Sequence, residues 1–348
     1  MKAHWIKYHL NFKKTARTSH GAYDTRTVWY LILKDGANSG IGECAPLNGL
    51  SKESPEQVEH LLQEICNNPE DYLWSAELIQ HIPSVHFALE TAWKDFNNGG
   101  TKILYPSAFT DGKAGIPING LIWMGDELYM QQQIEDKLKS GFKCLKLKIG
   151  GLDFKQELEI LKSIRRKYNP QEITLRLDAN GAFKPEEALE KLYELAPLHI
   201  HSIEQPIAAG QWDQMEMVCR ESPIPIALDE ELIGIHHSND KIKLLETVQP
   251  SFLILKPSLH GGFSGCTEWI SLAGTRHIKW WVTSYLESNI GLNAISQWAY
   301  QTGAKGYQGL GTGSLYVNNI PSPLEIKGEE LWFNANAKFQ MPENLMIP

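Results

Sequence analysis

The sequence predicts an α/β fold in which a (β/α) barrel follows a smaller α+β domain, and three observations predict it. Eight short apolar runs follow one another: Ile116–Ile122, Cys144–Ile149, Ile173–Asp178, His199–Glu204, Ile224–Asp229, Phe252–Lys256, Trp280–Ser284 and Gly306–Leu310. Several intervals between them, such as Asp153–Tyr168 and Pro185–Leu195, carry Leu and Ile at helical spacing. Charged residues end successive runs on a beat of 25 to 30 residues, about one strand plus one helix: Lys148, Asp178, Glu204, Asp229, Lys256. Strands that alternate with helices form a parallel sheet, and eight such units close on themselves.

The first 112 residues break this beat. His4–Phe12 and Arg26–Lys34 read as strands joined by a polar loop, Lys13–Thr25. Ser54-Pro55-Glu56-Gln57 combines an N-cap serine, a proline in the first turn and a glutamine at the capping-box position, so a helix starts there. A second helix covers Val85–Phe96. The barrel then occupies 113–315. The tail, 316–348, holds two further strands, Leu324–Ile326 and Glu330–Phe333, and is expected to return to the N-terminal domain.

Strand geometry directs the charges. Successive side chains on a strand face opposite sides. Lys146 and Lys148 share one face of their run while Leu145, Leu147 and Ile149 share the other. Asp178 opposes Leu177 and Leu175, Asp229 opposes Leu228 and Ile226, and Lys256 opposes Leu255 and Leu253. With the apolar faces packed on helices, the charged groups point into the barrel at the carboxyl ends of its strands, where such barrels carry their active sites.

Three converging carboxylates oppose one another's ionisation unless a cation compensates them. An all-oxygen donor set favours Mg²⁺ or Mn²⁺ over zinc. Such a metal leaves positions for a substrate carboxylate and lowers the cost of the enediolate formed when the adjacent C–H loses its proton. A lysine beside a metal and a second amine is biased toward its neutral form, so one of Lys146 and Lys148 can act as base. Lys256 reaches the substrate from the other side, four strands along.

Composition excludes other classes. The formal net charge of −8 argues against nucleic acid or an anionic membrane as the main partner. No run approaches the ~18 apolar residues of a membrane span, and Met1–Asn11 lacks the apolar core of a signal peptide. Five cysteines, odd in number and without CxxC spacing, read as the reduced thiols of a cytoplasmic protein. No pattern specifies an oligomeric state.

Lys146-Leu-Lys148, Asp178-Ala-Asn180, Glu204-Gln-Pro206, Asp229-Glu230 and Leu255-Lys256-Pro257 together resemble the enolase superfamily, and the Lys-x-Lys form resembles its muconate-lactonising subgroup. Within that subgroup the chain looks most like the o-succinylbenzoate synthase family. The likeness extends to Gly42-Glu43-Cys44-Ala45-Pro46-Leu47 in the N-terminal, capping domain. It implies the modified (β/α)7β form of the barrel, Mg²⁺ on Asp178, Glu204 and Asp229, and a small carboxylate substrate in menaquinone biosynthesis. It also implies that Lys148 removes the proton alpha to the ring carboxylate. Lys146 would support that lysine, and Lys256 would stabilise the anion from the opposite face. Glu230 is expected to pair with a neighbouring lysine rather than bind metal.

Other features carry less. Thr283–Ser288 and Gly309-Leu-Gly311-Thr-Gly313 follow the last two runs. Ser284, Gly309 and Gly311 there would hold a succinyl carboxylate, since loops in that position often bind anions, although glycines also serve tight turns. Arg17 and His20 would close over substrate from the Lys13–Thr25 loop. His199 and His201 lie opposite Glu204 and read as packing residues. His260-Gly261-Gly262 has no Gly-x-Ser-x-Gly to complete a hydrolase.

Two functions compete with dehydration. One is a racemase or epimerase of N-acylamino acids or dipeptides, using Lys148 and Lys256 as bases on opposite faces. The other is a catalytically silent binding barrel. Dipeptide epimerases of the subgroup carry an Asp-x-Asp pair after the eighth strand; Gly306–Tyr316 contains no carboxylate.

Overall fold

The computed structural model describes residues 1–18, 21–73 and 75–345. Three antiparallel strands open the chain: β1 (Lys2–Thr18), β2 (Gly21–Asp35) and β3 (Asn38–Cys44). The expected Lys13–Thr25 loop is instead the far end of a long hairpin. Ala16, Arg17 and Thr18 pair with Tyr23, Ala22 and Gly21 after a register shift that begins at Asn11. The polar residues that suggested a loop alternate on a two-sided solvated ribbon, whose pairing a hydrophobic pattern cannot reveal. The Arg17 side chain and His20 lie outside the described part of the chain.

Helices α1 (Pro55–Asn67), α2 (Pro69–Leu73) and α3 (Pro83–Asn97) follow. The capping box forms as the sequence requires: Gln57 N donates to Ser54 Oγ, and Ser54 N donates to Gln57 Oε1 at 2.8 Å. Gly40 and Gly42 let β3 lie directly against α3, where a Cβ at Gly42 would meet the Ala88 carbonyl oxygen at 1.8 Å. Apolar residues of β2, α1 and α3 form the core of this domain.

The run Ile116–Ile122 divides into β4 (Ile116–Pro117) and β5 (Gly120–Ile122). Then come α4 (Glu127–Lys139), β6 (Cys144–Lys148), α5 (Phe154–Lys167), β7 (Thr174–Asp178), α6 (Pro185–Leu195), β8 (Ser202–Glu204), α7 (Trp212–Glu221), β9 (Ile226–Leu228), α8 (Ser238–Val248), β10 (Phe252–Leu255), α9 (Gly262–Gly274), β11 (Lys279–Val282) and α10 (Asn289–Gln301). From β5 to β11 these strands form one parallel sheet in sequence order. The eighth run makes single bridges rather than a strand. Gln308 N donates to Pro117 O, Asn119 N to Gln308 O, and Gly309 N to Val282 O, so residues 308–309 join the two edges and the sheet curls closed. Leucine, isoleucine and valine on the outer strand faces pack on the helices, while Ala227, Phe252, Ile254 and Trp281 fill the interior.

The tail divides between both domains. Its hairpin, β12 (Leu324–Lys327) and β13 (Glu330–Phe333), pairs with β4 rather than with the capping sheet. Pro117 has no N–H for a ladder inside the barrel wall, and Ile116 turns outward to pair with Leu331. Tyr316, Ile320 and Leu345 pack with Leu10, Tyr30 and Ile32 of the first two strands. No helix among the described residues is long and apolar enough to cross a membrane. All five cysteines are free.

Candidate active site

One cavity of about 440 Å³ lies at the carboxyl ends of the barrel strands, bounded on the capping side by Lys14, Leu47 and Leu50. Lys146, Lys148, Asp178, Glu204, Asp229, Glu230 and Lys256 all line it. The pleat puts them there. Parallel pairing sets Lys148 beside Asp178 and Asp178 beside Glu204 on the inner face, while their leucine neighbours anchor each strand from outside. Backbone strain marks the same rim: Asn180, Gln205 and Leu286 hold φ of 44°, 41° and 60°.

Lys146 Nζ stands between two acids, 3.0 Å from Asp178 Oδ2 and 2.7 Å from Glu204 Oε2. Lys148 Nζ donates to Asp178 Oδ2 at 3.0 Å and to Asn180 Oδ1 at 2.7 Å. Across the cavity, Lys256 Nζ donates to Asp229 Oδ2. The Asn180 carboxamide also donates to Glu230 Oε1 at 2.8 Å. Glu230 therefore reaches Lys148 through Asn180, and its charge acts on Lys256 as well.

Burial by itself would lower the Lys146 ammonium, but Asp178, Glu204 and Asp229 outweigh it and raise the group. Burial would raise Asp178, yet Lys146 and Lys148 hold it well below the usual carboxylate range. Lys256 is raised in the same way, chiefly by Asp229 and Glu204 against burial. Glu204 goes the other way: burial and the neighbouring Asp178 push it well up. Burial would raise Asp229, but Lys256 holds it down. These acids therefore hold Lys146 in its charged form.

Among the described residues no three side chains stand in metal-ligating geometry, since lysine Nζ atoms lie against the carboxylates. The donor chemistry nonetheless fits a hard divalent cation. Three buried carboxylates on consecutive strands offer only oxygen, and their mutual repulsion is relieved here by the ammonium groups of Lys146, Lys148 and Lys256.

Ser284, Gly309 and Gly311 also line the cavity, with Ser284 Oγ 2.7 Å from Thr312 Oγ1. Histidines stay apart from the acids. His201 packs on Phe252 at 5.2 Å between centroids. His260 Nδ1 accepts the Lys256 backbone N–H, and burial pushes its pKa down to about 3. Sequence reasoning missed Asn119 and Leu121 of the first run and Trp123 just after it, all of which line the cavity. Their shared parity was the available signal. It also missed Tyr285, whose ring lies 5.8 Å from Lys256 Nζ and whose carbonyl accepts from Arg26 of the capping domain.

Residues 129–335 match the family described as Enolase C-terminal domain-like, and residues 1–96 match the family described as MenC, N-terminal domain. The chain is 40% identical to an o-succinylbenzoate synthase of Desulfotalea psychrophila over 94% of its own length and 98% of the relative's. The crystal structure of MenC from Desulfotalea psychrophila LSv54 superposes with a TM-score of 0.85 at 39% identity, covering 95% of this chain and 99% of that one. A dipeptide epimerase of Enterococcus faecalis V583, crystallised with Mg and L-Leu-L-Tyr, shares the fold at TM-score 0.83 and 19% identity, over 95% and 96% of the two chains. The chain belongs to the o-succinylbenzoate synthase family of the enolase superfamily.

Proposed function

We propose that this chain is a Mg²⁺-dependent dehydratase that converts 2-succinyl-6-hydroxy-2,4-cyclohexadiene-1-carboxylate to o-succinylbenzoate, a step of menaquinone biosynthesis. The observation that carries the reading is the cavity itself, in which a lysine pair and Lys256 flank three buried carboxylates from opposite sides. Asp178, Glu204 and Asp229 are the residues that would hold Mg²⁺. When bound there, Mg²⁺ would supply Lewis-acid stabilisation of the charge that builds on the substrate's ring carboxylate.

The chain's own groups do the proton work. Lys148 is the group that accepts the proton. Lys148 Nζ, fixed laterally by Asn180, takes the ring proton alpha to the carboxylate. The C–H pair becomes a ring double bond, the C–O bond breaks, and the same Nζ protonates the departing hydroxyl as water. Lys146 holds positive charge beside Lys148. Lys256, steadied by Asp229 and the Tyr285 ring, faces the developing anion as a cation and needs no proton transfer. The division of the chain at 112 and 315 into capping domain, barrel and tail belongs to this proposal.

Epimerisation of dipeptides is the competing reading, and Gly306–Tyr316 speaks against it. A substrate ammonium there would meet no carboxylate and lose charge-assisted hydrogen bonds of about 1.5–3 kcal/mol each. Turnover of the cyclohexadiene is therefore expected, with negligible epimerisation of L-Ala-L-Glu. A dipeptide kcat/KM equal to that for the cyclohexadiene overturns the reading. Weak racemisation of N-succinylamino acids, which share the anionic tail, is compatible with it.

A further inference from the structure

Between β8 and β9 the parallel ladder stops before it reaches the third acid. The two strands pair only as Ile203 with Ile226 and Glu204 with Ala227, and β9 ends at Leu228. Asp229 lies beyond the last rung, at φ −124° and ψ −78°. Strand pairing sets Asp178 beside Glu204, but it does not extend to Asp229.

Gln205 takes over where the ladder ends. It is completely buried and does not line the cavity. Its backbone N–H donates to Ala227 O at 2.9 Å, and its carbonyl accepts Gly181 N at 2.7 Å. Its carboxamide oxygen accepts the backbone N–H groups of Asp229 and Glu231, each at 3.3 Å. Its carboxamide nitrogen donates to Ile207 O and to Glu231 Oε2, each at 3.0 Å. Glu231 is buried as well, and its other oxygen accepts Gly210 N at 2.7 Å. One residue thus bonds the segment that follows Asp178, the segment that follows Glu204, and the backbone of Asp229 itself.

The backbone supplies an independent sign. Gln205 holds a left-handed φ of 41°, a region that glycine occupies freely and other residues only with strain. Its partner Gly181, at φ 77°, meets the same demand with a glycine. A side chain held in such a conformation needs contacts that offset the strain. Both polar atoms of the Gln205 side chain have them.

Carboxylate spacing bears on which cation fits. Mg²⁺ demands a near-ideal octahedron of oxygens at about 2.0–2.1 Å, whereas Ca²⁺ accepts irregular shells at about 2.3–2.6 Å. Residues behind the ligands hold that spacing.

We propose that Gln205 is the positioning residue of the three-acid site: by tying together the ends of the three strands that lead to Asp178, Glu204 and Asp229, it sets a carboxylate spacing that suits Mg²⁺ over larger divalent ions. This rests on the Mg²⁺ assignment made above and gives the fine geometry of that site to a residue outside the cavity.

Calorimetric binding of Mg²⁺ and of Ca²⁺ to the full chain, freed of metal, tests the proposal without turnover. Gln205→Met removes the side-chain hydrogen bonds at nearly constant volume and charge. Gln205→Gly removes them too, and suits the left-handed backbone. Both variants are expected to weaken Mg²⁺ binding about 10- to 100-fold and Ca²⁺ binding less than about threefold, because the looser shell still serves the larger ion. Gln205→Glu combined with Glu231→Gln exchanges amide and carboxylate at unchanged net charge, and should restore most of the Mg²⁺ affinity. Circular dichroism checks the fold of each variant. Equal weakening of both ions marks a merely structural residue and overturns the proposal, as does unchanged Mg²⁺ affinity in either folded single variant. Failure of both single variants to fold, or a double variant that binds Mg²⁺ no better than Gln205→Met, also overturns it. A wild-type chain that binds no Mg²⁺ overturns the metal assignment and the positioning role together.

Discussion

At the residue scale, the two faces of the cavity are held by different devices, and that difference is measurable. Lys148 is positioned by an acid and an amide, Asp178 and Asn180, whereas Lys256 is positioned by an acid and an aromatic ring, Asp229 and Tyr285. A base must lose its proton; a counter-cation need not. Guanidinium does not deprotonate at working pH, so Lys148→Arg should abolish dehydration while Lys256→Arg keeps a measurable rate. Equal loss in both would mean that both lysines move protons, which is racemase chemistry. Asp178→Asn removes a ligand charge at nearly constant volume, and it also removes the acid that Lys146 and Lys148 share. Turnover should fall to background with the fold retained by circular dichroism. In the unaltered protein, EDTA should stop the reaction and Mg²⁺ or Mn²⁺ restore it; full activity in chelator would refute the assignment of the three acids.

At the element scale, the capping domain supplies N-terminal carboxylate acceptors to two barrel helices, α9, which has no side-chain cap of its own, and α10, whose Ser288 already caps Ile290 N. α9 begins after Gly261, which is left-handed at φ 83° and has no side chain to accept a bond. Glu90 of α3 accepts the Phe263 and Ser264 backbone N–H groups instead, the latter at 3.0 Å. Glu43 of β3 accepts Ser288 N at 2.7 Å and Gly291 N at 2.8 Å at the start of α10. A carboxylate at a helix N-terminus satisfies free donors and meets the positive end of the helix dipole. Glu90→Ala strands two donors at a domain interface and should cost about 1–3 kcal/mol. Ser54→Ala breaks a local, exposed capping box and should cost about 1 kcal/mol. Urea titration of the two variants checks the order; a larger loss for Ser54→Ala would show that the interdomain caps contribute little.

At the scale of the whole molecule, these caps make domain docking sensitive to pH. Burial raises Glu43 to about 7, against the Ser288 and Gly291 donors and with Glu287 adding to the rise. Burial likewise raises Glu90 to about 7, with Lys94 and the α9 donors opposing. An acid whose folded pKa lies above its unfolded value binds a proton on folding in the interval between them. Its stabilisation is complete below about 4.5 and is lost as pH rises through about 7. Glu43, fully buried, can account for up to about 3 kcal/mol of that change. The thermal midpoint should therefore fall between pH 5.5 and 8 by more in the wild-type chain than in Glu43→Gln, which has no proton to lose. Identical slopes in the two proteins would exclude Glu43 as the titrating cap.

Local sequence determined the elements and the inward charges, because strand parity and helix period act over a few residues. Asp178, Glu204, Asp229 and the three lysines were legible on that basis, as was the Ser54 cap. Only tertiary structure decided what those groups do to one another. Which lysine lies between which acids depends on parallel register, and Asn180, Tyr285 and Glu43 matter through contacts 29 to 245 residues apart. The continuous β1–β2 hairpin and the bridging eighth segment escaped the sequence for the same reason. A solvated ribbon and a glycine-rich closure have no hydrophobic pattern to read, and their hydrogen bonds exist only once the chain has closed on itself.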